Sequence, residues 1–376
     1  MFRNVHALTP DANHDEAARM DFVRAFRAHL SGTIMPGNFS LYEEKIKPAI
    51  ENETGRPPQH RDEIRKKMMV EPYYQLWSAM TRRSQEMMWD ATVDTVERQL
   101  PDMIEAFRAT SGGAGGSLEL NPDLEIPRYH TVHDIHIQPG GYHTDQVPDD
   151  ITAGALYETG LQMYMAGAWG PEGDFLGHML CNGMHSIWPD FQPKRILDMG
   201  CGAGNSTLPW GKAFPDAEVH AIDVGAPMLR YAHTRAESLG VAVHFSQQNA
   251  ECTDYEDGSF DLVVSHIMLH ETSKKALPRI FAETRRLLRS GGRMLHFDIP
   301  RGDTLFDQFM HDWESYNNNE SFARCMTDID LVAEAVKGGW PADEVGLELM
   351  KSNLDVTQRN YSRDEMSFKS LAGIRA

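Results

Sequence analysis

Apolar positions along the chain change period between its first third and its second half. In residues 11–30, Ala18, Phe22, Ala25, Phe26 and Leu30 recur at helical spacing. That period predicts a helix, and Ser31-Gly32 predicts its end. Residues 61–107 contain no glycine and predict long helices, with Pro72 and Pro101 starting new ones or kinking the old. Met68, Met69, Tyr73, Leu76, Trp77 and Met80 define an apolar face, continued by Met87, Met88 and Trp89. Such a face fits helix core or a dimer contact, since methionine packs adaptably. Residues 111–117 read Ser-Gly-Gly-Ala-Gly-Gly-Ser, a linker composition that predicts a domain boundary. Residues 127–142 alternate like a strand and close at Pro139-Gly140-Gly141. Residues 151–168 read as helix.

From residue 195 short apolar runs alternate with helical patterns. Strands are expected at 195–199, 218–223, 241–246, 260–265 and 293–298, and helices at 206–214, 227–239 and 273–288. This order predicts an α/β fold: a mainly parallel, buried sheet with helices on both faces. Three parts follow. Residues 1–117 form a mainly helical N-terminal domain, for dimerisation or for covering the substrate, that ends in the Gly-rich linker; 118–192 form a strand-and-helix segment over the active site, and 193–376 the core.

Composition narrows the function. The 376 residues are 41% hydrophobic and 24% charged, an ordinary globular balance for two domains. The formal net charge of −19 repels polyanions, so neither nucleic acid nor an anionic membrane is an expected partner. The cations of residues 61–67 are mixed with acids and read as a solvated helix face. Cys181, Cys201, Cys252 and Cys325 form no CxxC pair, which suggests neither a zinc ribbon nor a disulfide framework. The first twenty residues lack the apolar stretch of a secretory signal, and no apolar run is long enough to span a bilayer. A soluble, cytoplasmic protein is expected.

The central motif is Ile196-Leu197-Asp198-Met199-Gly200-Cys201-Gly202-Ala203-Gly204-Asn205. A buried strand runs into three alternating glycines, and a helix follows. Such a loop lies at the carboxyl end of a strand, where open α/β sheets bind ligands. A dinucleotide spacing G-x-G-x-x-G needs glycine at 205, where Asn205 stands. Asp198 repels a pyrophosphate but suits a cationic ligand with an amino group. Asp223 ends the next strand and can accept two ribose hydroxyls. Asn249-Ala250-Glu251 ends the third, where a short polar side chain reaches an adenine edge.

Asp198 to Gly204, Asp223, Asn249-Ala250-Glu251, the strand Phe260-Asp261-Leu262-Val263-Val264-Ser265 and Leu287-Leu288-Arg289-Ser290-Gly291-Gly292 resemble class I S-adenosylmethionine-dependent methyltransferases. Leu269-His270 after the fourth strand is similar to the quinone-biosynthesis type. The resemblance covers residues 193–376. It implies a Rossmann-like seven-stranded sheet with an antiparallel last strand, for which 345–350 and 368–375 are candidates. It implies S-adenosyl-L-methionine as cofactor. Gly200, Gly202 and Gly204 would lie against it, Asp198 would serve its amino end, and Asp223 would bind its ribose. Val224 and Met228 would pack near the adenine, and Asn249 and Ala250 would meet its amino edge. Many relatives carry aspartate where Asn249 stands, yet an amide oxygen can also bond adenine. Ser265 and His266 would flank the methionine portion, with Tyr157 near the cofactor.

A sulfonium methyl is already electrophilic, so holding a nucleophile in line supplies most of the catalysis. His270 and Glu271 follow the fourth strand, and His270 is a candidate general base of near-neutral pKa. Asp298 ends the fifth strand and equally fits a cap. His130, His133, His136 and His143 crowd one segment. On a strand, His133 faces away from His130 and His136, so no metal is expected. A pocket lining of Tyr142, His143 and Tyr157 is a second reading of that segment, and ordinary packing a third. Residues 312–320 are dense in polar and aromatic groups and suit a pocket cap or a solvated loop. The favoured function is methyl transfer to a small-molecule acceptor, with a homodimer through the N-terminal helices. The rivals are a nicotinamide oxidoreductase, a non-catalytic cofactor-binding scaffold and a methyltransferase acting on protein.

Overall fold

The computed structural model describes residues 5–165, 167–299, 302–352 and 366–376. The first helix is His14–His29, opened by an Asn13–Glu16 capping box that satisfies its free amides. Ser31-Gly32 does not end it. The helical path continues through wide turns at Leu30–Ile34 and Tyr42–Ile46 and stops at Gly55, whose φ is 71°. The wide turns accommodate Pro36 and Pro48, which lack an N–H to donate. A helix over Arg61–Met68 follows, and then the 37-residue helix Pro72–Arg108, with Pro101 inside it. The break at 69–71 resets the helical phase. Tyr74 and Trp77 are buried beside Met68, whereas Met69, Tyr73 and Leu76 are exposed.

Eight strands form one sheet: β1 (Ser117–Glu119), β2 (Arg195–Met199), β3 (Glu218–Asp223), β4 (His244–Gln247), β5 (Phe260–His266), β6 (Leu288–Phe297), β7 (Val345–Ser352) and β8 (Met366–Ile374). Their order is β1-β4-β3-β2-β5-β6-β8-β7. β8 runs antiparallel between β6 and β7, and the pairings from β1 to β6 are parallel. The expected seven strands and antiparallel last strand are present, and β1 adds an eighth at the edge. Two buried apolar clusters cover the two faces of the sheet, around Trp210 and Phe245 and around Phe281 and Trp340.

Two expectations fail here. Residues 111–117 are no free linker: the Ala114 and Gly116 amides bond Glu237 at 2.8 and 3.0 Å, and Ser117 begins β1 beside β4. A boundary at 117 therefore cuts into the sheet. Nor do residues 127–142 form a strand. They hold a short helix, Arg128–Thr131, and a tight turn, Ile135–Ile137, with φ near 53° at His136 and Ile137. Tertiary bonds override the local alternation: Gln85 Nε2 and Trp89 Nε1 both donate to the His136 carbonyl at 2.9 Å.

The N-terminal helices are not a separate body. Trp89, Met88 and Val96 share a core with Ala155 and Leu156 of the helix Thr152–Tyr164 and with Met228 and Tyr231 of the helix Ala226–Ser238. Tyr42, Trp77 and Tyr74 pack with Phe306, Phe309 and Trp313. Arg61 is buried rather than solvated. It pairs with Asp312 at 3.1 Å and with Asp328 at 2.7 Å. Among the described residues no helix is long and apolar enough to cross a membrane.

Candidate active site

β2 ends at Met199, and Gly200 and Gly202 turn the chain with φ of 72° and 53°. These are left-handed values that glycine adopts without strain. A Cβ on Gly200 would sit 2.5 Å from Met268 Cγ, so any other residue there is strained and pushes Met268 aside. Asp198 is buried. It accepts from Thr207 Oγ1 at 2.6 Å, and His266 Nδ1 lies 3.3 Å from its other oxygen. Asp223 takes the Gly202 and Gly225 amides, each at 2.9 Å, which ties the end of β3 to the glycine loop.

A single cavity opens above these strand ends. Asp198, Gly200, Gly202, Asp223, Val224 and Met228 line it on one side. Asn249, Ala250, His266, Tyr142, Tyr157, His270 and Glu271 line it as well. No lysine or arginine is among its described lining residues. Asp198 and Asp223, with no lysine or arginine beside them, suit a cationic sulfonium nucleoside and give a pyrophosphate nothing to bind.

Three expected site residues lie elsewhere. Gly204 faces Ala232, Leu208 and Phe245, because its turn packs on the neighbouring helix. Ser265 points to the other face of the sheet, where it meets His296 Nδ1 at 2.8 Å. His143 packs at a tilt beside His130, with ring centroids 5.7 Å apart, and lines neither this cavity nor the next. Asn249 does line the cavity, but its oxygen already accepts the Glu251 amide at 2.9 Å. That bond holds the turn after β4.

A second cavity of about 320 Å³ adjoins the first. Tyr142, Tyr157, Leu161, Trp169, His136 and His270 line both. Its far walls are Gln85, Met88 and Trp89 from the long N-terminal helix, Tyr164, and His311, Glu314 and Glu320 from the segment after β6. The N-terminal domain thus builds part of the site. A substrate-covering role for these helices is one of the two expected from the sequence, but the pattern around Met88 and Trp89 points only to core or a dimer contact, since their partners lie far along the chain. The histidine-rich segment was visible, but its course was not.

An ion-paired chain runs along the common wall. His270 Nδ1 meets Asp298 at 2.7 Å, and its Nε2 lies 3.5 Å from Glu271. His136 bridges Glu271 at 3.3 Å and Glu320 at 3.0 Å. Burial pushes the His270 pKa down, but Asp298 and Glu271 outweigh it and raise it to about 10. Burial likewise opposes charge on His136, yet Glu320 and Glu271 lift it well above the usual histidine range. Burial raises Glu271, while His136 and His270 overcome this and hold it low. The flanking carboxylates thus favour the protonated ring, which weighs against the near-neutral His270 expected from the sequence. Burial also pushes the Tyr142 hydroxyl well up and the Tyr157 hydroxyl to about 12, so both stay O–H donors at neutral pH.

The comparisons with known proteins agree with this geometry. Residues 196–292 match the family model described as a methyltransferase domain. Demethylmenaquinone methyltransferase of Thermus thermophilus is 31% identical over 140 residues, covering 35% of this chain and 62% of the relative. Malonyl-[acyl-carrier protein] O-methyltransferase of Methylococcus capsulatus is 28% identical over 206 residues, covering 50% and 70%. The match thus spans under two thirds of the Thermus relative. Among solved structures, Haemonchus contortus phosphoethanolamine N-methyltransferase 2, in complex with phosphomonomethylethanolamine and S-adenosylhomocysteine, aligns over 58% of each chain at 17% identity with a TM-score of 0.42. Around the glycine loop and the strand ends it joins, residues 196–292 thus carry the pattern of a methyltransferase domain.

Proposed function

We propose that the chain transfers the methyl group of S-adenosylmethionine to a small-molecule acceptor held in the second cavity. The observation that carries this reading is the shared wall. Tyr142, Tyr157 and His270 face both an acidic cofactor cavity and an aromatic cavity beside it. A nucleophile in the second cavity then has a short path to a methyl group in the first. Asp198 and Asp223 would hold the amino end and the ribose, with Val224, Met228 and Ala250 beside the adenine. The bound cofactor supplies an activated methyl group. The residues of this chain align the acceptor and exclude water, which is worth on the order of 7–11 kcal/mol of barrier when the fit is good.

His270 donates rather than accepts, because Asp298 and Glu271 keep its proton in place. Positioning therefore carries the reaction, and a histidine base is not part of it. Aromatic faces of Tyr142 and Tyr157 would also stabilise the sulfonium charge. A nicotinamide cofactor is disfavoured because its pyrophosphate would meet Asp198 without a cation. Calorimetry with S-adenosylhomocysteine tests the cofactor assignment. Transfer of label from methyl-tritiated S-adenosylmethionine to a panel of small acceptors tests the activity. No affinity for either nucleoside would end this reading.

A further inference from the structure

The N-terminal arm lines neither cavity, yet its His6 and Leu8 are buried. His6 Nδ1 accepts the Leu8 amide at 3.2 Å. In the neutral ring the proton then sits on Nε2, which lies 2.6 Å from Glu158 Oε2. Glu158 is buried on the helix Thr152–Tyr164, next to Tyr157 of the shared wall. Its carboxylate collects donors from three further groups. Tyr231 donates its hydroxyl, Arg235 Nε donates at 2.8 Å, and Asn205 Nδ2 donates at 3.0 Å. Burial alone would raise the Glu158 pKa, but Arg235, His6 and Tyr231 hold it well below the usual carboxylate range.

Asn205 is the residue that replaces the third glycine of a dinucleotide loop, and it lines the cofactor cavity. Its Nδ2 also reaches the Glu172 carbonyl at 2.9 Å, as does Arg235 Nη2 at 2.6 Å. The strap before Gly173 is therefore fastened to the same point, and Gly173 also lines the cavity. With Nδ2 committed, the amide has one orientation, and Asn205 Oδ1 has no partner among the described residues.

We infer that Glu158 is a positioning residue for the cofactor loop and that the N-terminal arm, through His6, is part of its support. The inference rests on the methyltransferase reading above. Four donors from the arm, the helix Ala226–Ser238 and the glycine loop share one buried carboxylate. Removing the His6 donor leaves a buried charged oxygen short of a partner, which such a group resists. The carboxylate then shifts, and the Asn205 amide and the turn it anchors shift with it.

The test uses the full chain and S-adenosylhomocysteine as the calorimetric probe. His6→Ala is expected to weaken binding about tenfold, the scale of one hydrogen bond to a charged group. His6→Gln, whose amide can donate, is expected to recover most of that loss. Asn205→Ala leaves the arm docked and should weaken binding by a similar factor. In the double variant the two effects should not add, because both act through Glu158. A folded His6→Ala protein with wild-type affinity overturns the inference, as do additive losses or a His6→Gln protein as weak as His6→Ala. Absence of binding by the wild-type protein sinks the cofactor reading instead, and this inference with it.

Discussion

The cofactor half of the site and the cap above it are built by different means. The cofactor half hangs on backbone geometry at strand ends: Gly200 and Gly202 turn in left-handed conformations, and Asp223 ties β3 to that turn through two amides. Its lining parts lie within some fifty residues of sequence, with Glu158 and His6 as support from outside. The cap hangs on side chains that meet across long separations. Trp89 bonds the His136 carbonyl, His136 bridges Glu271 and Glu320, and Arg61 joins Asp312 and Asp328. The first design gives a rigid local cradle. The second gives a cover whose shape depends on how distant elements dock, so acceptor choice can vary while the cradle stays the same.

If that contrast is right, breaking the cap should spare cofactor affinity. The largest effect is expected from Arg61→Ala. It strands the buried Asp312 carboxylate, apart from its contact with Arg324 at 3.4 Å, and removal of one partner from a buried pair costs about 3–5 kcal/mol. Urea denaturation should show that loss, while calorimetry of the folded variant should find S-adenosylhomocysteine affinity within about threefold of wild type. Equal losses in both would mean that cap and cradle are one unit.

The converse break is Gly200→Ala. A left-handed conformation costs a residue with a Cβ roughly 1–2 kcal/mol, and crowding against Met268 adds about 1–3 kcal/mol. Cofactor affinity should fall on the order of 100-fold, where Arg61→Ala leaves it nearly unchanged, and because the same strain acts in the free protein the urea midpoint should fall as well. A variant that binds normally would show that the loop has slack the geometry denies.

The same contrast explains what could be read from the sequence. The strands, the order of the core and the places of Asp198, Gly200, Gly202, Asp223 and Ala250 on the cavity wall were legible from local patterns ending at the same sheet edge, while Val224, Met228 and His266 came only from the family resemblance. Gly204 and Ser265 were misplaced by the same logic. A residue's place in a motif does not say which face of the sheet or helix its side chain meets. The cap was much less legible. Residues 127–142 alternate like a strand, but Gln85 and Trp89 pull the His136 carbonyl into a turn from far upstream. The protonated state of His270 was equally hidden, since Asp298 reaches it from the end of the next strand but its strength as a partner depends on burial.

A milder cut separates acceptor from cofactor. Trp89→Phe keeps an aromatic wall in the second cavity but removes the N–H bond to the His136 carbonyl. Gln85 still holds that carbonyl, so the loss should be about one neutral hydrogen bond. Turnover with a working acceptor should drop roughly threefold to tenfold in kcat/KM. S-adenosylhomocysteine affinity should not change, and a parallel fall in both would erase the distinction drawn here.

A slope rather than a single loss sharpens the comparison through pH. The His270 pKa is raised to about 10 by Asp298 and Glu271 against the opposing effect of burial, from an ordinary value of about 6.5. A raised histidine contributes stability that is complete below pH about 6.5 and is lost as pH climbs towards 10. Wild-type stability should therefore decline across that window, by at most about 1.4 kcal/mol per pH unit from this group. His270→Gln cannot titrate, so the difference between wild type and variant should shrink as pH rises. His136 shares Glu271 and is also raised, so some slope should remain in the variant. S-adenosylhomocysteine affinity should vary less over the window than stability does. Urea midpoints at pH 6.5, 8 and 9.5 for both proteins decide the matter. A wild-type minus variant difference that stays constant would mean that His270 is neutral in the folded protein, and that a base role for it must be reconsidered.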